Sequence, residues 1–177
     1  MPVFLEFIEN PGFRSSDIQV QYDSAQKHMS QYFDQAKAII PRIALIKSKY
    51  TKEELKILRS SEQIPASMES RVLEEVASFS SVIYGYRIKQ HSQVSSRDYF
   101  YSFHYRWGLC LYLKLLERMK HGSSSELGVE TFVNDLIDME IAAWGTIYDG
   151  VISRDRSITR IYGSAKSILD KIERRRF

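Results

Sequence analysis

The sequence predicts a mainly α-helical fold of about six helices with few short strands, on three observations. Apolar residues recur at steps of three and four through several long stretches, the period of helices that bury one face. Breaks of serine, glycine and small polar residues separate those stretches, at Ser60-Ser61, His91 to Ser96 and Gly122 to Ser125. Only two short runs, 3–8 and 149–153, have the apolar, β-branched character of strands. An all-α bundle is the alternative to a fold that keeps them. With 177 residues, 44% of them hydrophobic and 27% charged, residues 1–177 can bury one sizeable core as a single compact domain.

Taken in order, Val3, Phe4, Leu5, Phe7 and Ile8 make a short apolar run closed by Asn10-Pro11-Gly12, a strand followed by a turn. Ser16 or Asp17 can cap a helix whose apolar positions are Ile18, Tyr22, Ala25, Met29, Tyr32, Phe33, Ala36, Ile40 and Ile43. Pro41 lies inside that pattern and predicts a kink, because it lacks a backbone donor. Thr51 and Glu54 have capping-box spacing at the head of a short helix. From Pro65, Val72, Val76, Phe79, Ile83 and Tyr86 mark a longer one, with Gly85 as its weak point.

The helix from Asp98 to about His121 is apolar nearly all round, through Phe103, Trp107, Cys110, Leu111, Leu115 and Met119. Such a helix belongs at the centre of the fold. Thr131 to Gly145 follows, with Val133, Ile137, Ile141, Trp144 and Tyr148 on one apolar face. Gly150-Val151-Ile152 reads as a buried strand. The last helix, Ile158 to Arg175, places Ile161, Tyr162, Ala165, Ile168, Leu169 and Ile172 on its buried side.

Composition excludes several classes. Cys110 is the only cysteine, so neither a disulfide frame within the chain nor a cysteine-ligated zinc site is open to it. The four histidines, His28, His91, His104 and His121, lack metal-ligand spacing. There is no phosphate-binding glycine loop or nucleophile elbow. No stretch approaches the roughly 20 apolar residues of a membrane span, and the first residues carry Glu6 and Glu9 without a basic leader. The expectation is a cytoplasmic protein without a membrane partner. A net charge of +3 argues for a nucleic-acid partner only where it is clustered.

Chemistry concentrates between Thr131 and Ile158. Asp135 and Asp138 stand three apart on a helix, so they are neighbours whose repulsion of a few tenths of a kcal/mol must be offset by water, an Arg or a metal ion. Asp155 follows the apolar run 150–152, where an open α/β sheet would gather ligands at the carboxyl end of a strand. A hard divalent cation suits such oxygens. The alternatives are a solvated helix face paired with Lys or Arg for Asp135 and Asp138, and a helix N-cap for Asp155, with Ser157 competing. Arg156, Arg160, Lys171 and Arg174 share one side of the last helix. They either bind phosphates or form a solvated face with cations near a helix C-terminus.

Asp138, Ile141-Ala142-Ala143 and then Asp149-Gly150-Val151-Ile152-Ser153-x-Asp155 resemble the C-terminal half of a PIN-like nuclease domain, over about a quarter of the chain. The resemblance implies an α/β remnant related to metal-dependent ribonucleases. Asp135, Asp138 and Asp155 would be its catalytic positions, with Asp149 joining them around Mg²⁺ or Mn²⁺ and Ser153 at the hydroxyl position. RNA would lie along Arg154, Arg156, Arg160, Lys171 and Arg174. The family's opening strand ends in Asp, and its nearest equivalent here is Glu6, so the resemblance implies kinship and not a complete catalytic set. The other reading is a non-catalytic helical interaction module that binds a protein partner or its own copy through an acidic helix or a tyrosine-rich surface.

Overall fold

The computed structural model describes residues 15–60, 64–87, 99, 101–120 and 127–174. These form six helices: α1 (Ser15–Ser48), α2 (Lys52–Ser60), α3 (Ala66–Arg87), α4 (Phe103–Lys120), α5 (Val129–Ile147) and α6 (Arg156–Arg174). No strand occurs among the described residues. The protein is mainly helical, in agreement with the all-α alternative. The expected strand at 149–153 is corrected: these residues form the stop of α5 and an irregular linker to α6. The candidate strand at 3–8 lies outside the described residues.

The seam of α1 continues past Ile43 through Ile46 to Tyr50, and the helix runs through Pro41 without interruption. Tyr32, Ala36, Ile39, Ile43, Ile46 and Tyr50 are all buried, at steps of four and three. Residues 19–31 are exposed on every side, so the first half of α1 extends beyond the body of the protein. The capping box forms as the spacing predicts. Thr51 N–H donates to Glu54 Oε2 at 2.7 Å, and Glu54 N–H donates to Thr51 Oγ1 at 3.1 Å. The Thr51 backbone bond, before any other cause, holds the Glu54 carboxyl below its usual range.

Helix α4 is the centre, packed against α2, α3, α5 and α6. Tyr105, Trp107, Leu109, Cys110, Leu111, Tyr112 and Leu115 are sealed from solvent, and burial pushes the Cys110 thiol up to about 12. Two contacts fix its neighbours. Gly108 lies so close to α3 that a Cβ there would sit 2.8 Å from Ser80 Cβ and 3.1 Å from Ser80 Cα. The Tyr50 and Tyr112 hydroxyls meet at 2.7 Å and satisfy each other within the core. Arg71 stacks 4.8 Å above the Tyr50 ring and pairs with Glu54, so the ends of α1 and α2 are tied to α3.

The stop of α5 explains why 149–153 is not a strand. Asp149 adopts a left-handed conformation (φ 55°), and Gly150 N–H reaches back to the Gly145 carbonyl at 3.0 Å. This is the glycine-type helix ending, with Asp in the left-handed position. It turns Val151 back over Gly145, where a Cβ would meet Val151 Cβ at 3.1 Å. Ile152 is left wholly exposed. No described helix is long and apolar enough to cross a membrane.

Candidate functional site

Two features of α5 bear on function, an ionic cluster on one side and an aromatic ridge on the other. Asp135 faces α4, and its side chain is only 6% exposed. Arg118 donates to its Oδ2, and Lys114 Nζ lies 3.8 Å from its Oδ1. Lys114 also donates to Ser157 Oγ at 2.6 Å and lies 3.7 Å from Glu117 Oε2. Glu117 in turn pairs with Arg160 of α6. The charges of α4, α5 and α6 thus alternate in sign around a lysine ammonium.

Asp138 lies half-buried beside this cluster. Desolvation first, then the charges of Asp155 and Asp135, hold its carboxyl above the usual range, and Lys114 partly opposes them. Asp138 therefore senses both of the other aspartates picked out from the sequence. Two of them are already committed elsewhere. Asp155 caps α6, its Oδ1 accepting Ser157 N–H at 2.6 Å and Ile158 N–H at 3.4 Å. Asp135 belongs to Arg118 and Lys114. Asp149 stands apart, its exposed carboxylate accepting from Lys166 at 2.6 Å, which holds it below the usual range.

These carboxylates already have partners within the chain: Lys114 Nζ lies 3.8 Å from Asp135 Oδ1, and Asp155 Oδ1 accepts backbone donors. No group of three His, Cys, Asp or Glu side chains among the described residues could hold a metal. Of the basic positions expected to meet RNA, Arg160 pairs with Glu117 and Lys171 lies 3.4 Å from Glu69, while Arg154, Arg156 and Arg174 are exposed. Sequence reasoning missed Lys114, Glu117 and Arg118. Their signal was two cations four apart on one face of an otherwise apolar helix.

The ridge lies on the face that the spacing had grouped as apolar. Val133 is buried and Ile137 is half-buried, but Ile141 (43%), Trp144 (42%) and Tyr148 (74%) are exposed. Ile147 is exposed as well, and so is Ile152 in the linker that follows. The rings form a ladder from core to solvent. Buried Trp107 stacks on Phe103 at 6.4 Å, Phe103 on Trp144 at 4.4 Å, and Trp144 on Tyr148 at 5.9 Å. Offset stacking of this kind holds the outer rings in place without covering them.

Compared with known proteins, the chain matches no family model, no curated protein and no solved structure.

Proposed function

We propose that the protein is a non-catalytic helical interaction module that docks a protein partner on the Ile141, Trp144 and Tyr148 face of α5. The observation that carries this reading is the exposed stack Phe103, Trp144 and Tyr148, with Ile141 and Ile147 beside it. Contiguous exposed apolar surface with aromatic anchors is the usual composition of an interface core. Ring stacking supports it further, because side chains already ordered lose less entropy when a partner arrives. An apolar face of an amphipathic helix is the partner segment that suits a ridge of this spacing.

Trp144 supplies the test. Trp107 is fully buried, so the difference in fluorescence between wild type and Trp144→Phe isolates the exposed indole. Amphipathic helical peptides selected by display against the full chain are expected to shift Trp144 emission to shorter wavelength. Tyr148→Lys is expected to weaken the best of them at least tenfold, equivalent to about 1.4 kcal/mol. Selected peptides that leave Trp144 unchanged, or bind Tyr148→Lys equally well, would refute the docking surface.

The PIN-like ribonuclease reading rests on the influence of Asp135 and Asp155 on the carboxyl of Asp138, which lies half-buried beside the ionic cluster. It requires Mg²⁺ or Mn²⁺ to compete with Lys114 for Asp135 and with the α6 backbone for Asp155. Calorimetric titration decides it: binding that disappears in Asp138→Asn, Asp155→Asn would favour the nuclease, and equal heats in both proteins would remove it.

A further inference from the structure

We propose that a second copy of this chain covers the ridge, the exposed half of α1 from each copy lying across the Ile141, Trp144 and Tyr148 face of the other. The inference rests on the docking surface argued above and names its occupant.

The first argument is continuity with a packing surface that already exists. Helix α1 packs against α5 within one chain, and Tyr32 donates to Glu140 where the two meet. The buried seam of α1 runs Tyr32, Ala36, Ile39, Ile43, Ile46 and Tyr50. The same steps of four and three extend backwards through Met29, Ala25 and Tyr22, all of them exposed. On α5, Ile137, Ile141, Trp144 and Tyr148 also follow steps of four and three, and the last three are exposed. Each helix therefore carries an uncovered extension with the spacing of helix-on-helix packing. Within one chain both extensions are left exposed, and a second copy can cover them.

Charge places no barrier in the way. The positions flanking the α1 seam are Gln19, Gln21, Gln26 and His28, and the charged residues Asp23 and Lys27 are one of each sign on the remaining side. Gln19 donates to Asp23 at 2.8 Å and Gln26 to Tyr22 at 2.6 Å, so the arm's polar groups are served within the helix.

Area then selects the arrangement. Tyr22 and Met29 on the seam side of the arm are 58% and 40% exposed, and Ile141, Trp144, Ile147 and Tyr148 on the ridge are comparable. Taking roughly 200 Å² for a fully exposed side chain of this size, the two surfaces leave on the order of 600 Å² open per copy. Covering both in two copies removes about 1,200 Å², at the lower end of the roughly 1,200–2,000 Å² of specific interfaces. Arm on arm, or ridge on ridge, gives only about 400–800 Å², the size of chance contacts. A reciprocal exchange of arms uses both surfaces twice.

Sedimentation velocity of the full chain from 1 to 200 µM, joined to thiol cross-linking, tests this. The expected result is a dimer that Tyr22→Lys, Met29→Lys on the arm and Tyr148→Lys on the ridge each weaken at least tenfold. Cys110 is sealed in the core, so introduced thiols report alone. Met29→Cys chains mixed with Tyr148→Cys chains are expected to form a mixed disulfide. A monomer throughout the range, or Met29→Cys chains that cross-link only to each other, would overturn the proposal. A monomer whose Trp144 still answers to helical peptides removes the exchange of arms and leaves the docking surface. A Trp144 that answers to neither peptides nor concentration removes both.

Discussion

Replacing Arg118 by Met isolates one buried ion pair of the ionic cluster, Arg118 with Asp135. The substitution keeps an unbranched apolar stem on α4 and leaves the Asp135 carboxylate in a site where its side chain is 6% exposed. Stranding a buried charge costs about 3–5 kcal/mol when no partner remains. Lys114 stays 3.8 Å away and retains part of the compensation, so the expected loss is about 2–3 kcal/mol. At this chain length each kcal/mol moves the melting midpoint by about 2–4 °C, which gives a fall of roughly 4–12 °C. Urea unfolding at pH 7 measures the same quantity isothermally. Adding Asp135→Asn to Arg118→Met removes the stranded charge and is expected to recover at least half of the loss. An Arg118→Met protein within about 0.5 kcal/mol of wild type would refute the assignment of Arg118 as the main ion-pair partner of buried Asp135.

Three further outcomes follow from the same geometry. The Asp138 carboxyl is raised above its ordinary 3.8, so the folded state resists its ionisation. The stability it contributes is present below the unfolded value and is lost as pH rises through the folded one. Asp138→Asn is therefore expected to stabilise the protein at pH 7 by a few tenths of a kcal/mol, an advantage that fades below pH 4 in a melting series. Gly108→Ala forces α3 and α4 apart at Ser80 and is expected to cost about 1–3 kcal/mol in urea unfolding, with Ser80→Ala, Gly108→Ala less affected. Asp155→Ala is expected to lose about 1 kcal/mol of capping while Asp155→Ser keeps most of it; equal losses would mean that the carboxylate does something other than cap α6.

The helices were legible where a local rule decided them. Thr51 and Glu54 could be recognised as a capping box because both partners lie within one turn. The all-round apolar character of α4 announced its central place, since no surface helix is built that way. The segment 149–153 was misread because Asp149-Gly150-Val151-Ile152 satisfies two local rules at once. Its β-branched residues suit a strand, and its Asp-Gly pair suits a left-handed helix stop. Packing of Val151 onto Gly145 decided for the stop.

The face of α5 was equally undetermined by spacing. Apolar residues surround its second half, so the side that meets the core depends on where α1, α4 and α6 lie, which no local period encodes. Of the candidate site, the closeness of Asp135 and Asp138 and the capping of Asp155 could be read from the sequence. The cations that answer Asp135 could not, because Lys114 and Arg118 reach it from another helix.

The anchoring of α1 at one end only gives that helix a gradient of local stability. Around Tyr50 the hydroxyl of Tyr112, the guanidinium of Arg71 and the ion pair of Lys49 with Glu75 hold the chain from several sides. From residue 31 back to residue 19 every residue is exposed within one copy, and the bonds seen there run along the helix itself, Gln19 to Asp23 and Gln26 to Tyr22. A helical segment of that length standing alone is marginal in water. In a single copy opening is thus graded along one continuous helix, with amide exchange fastest at its outer turns and approaching the rate of global unfolding beyond Tyr32.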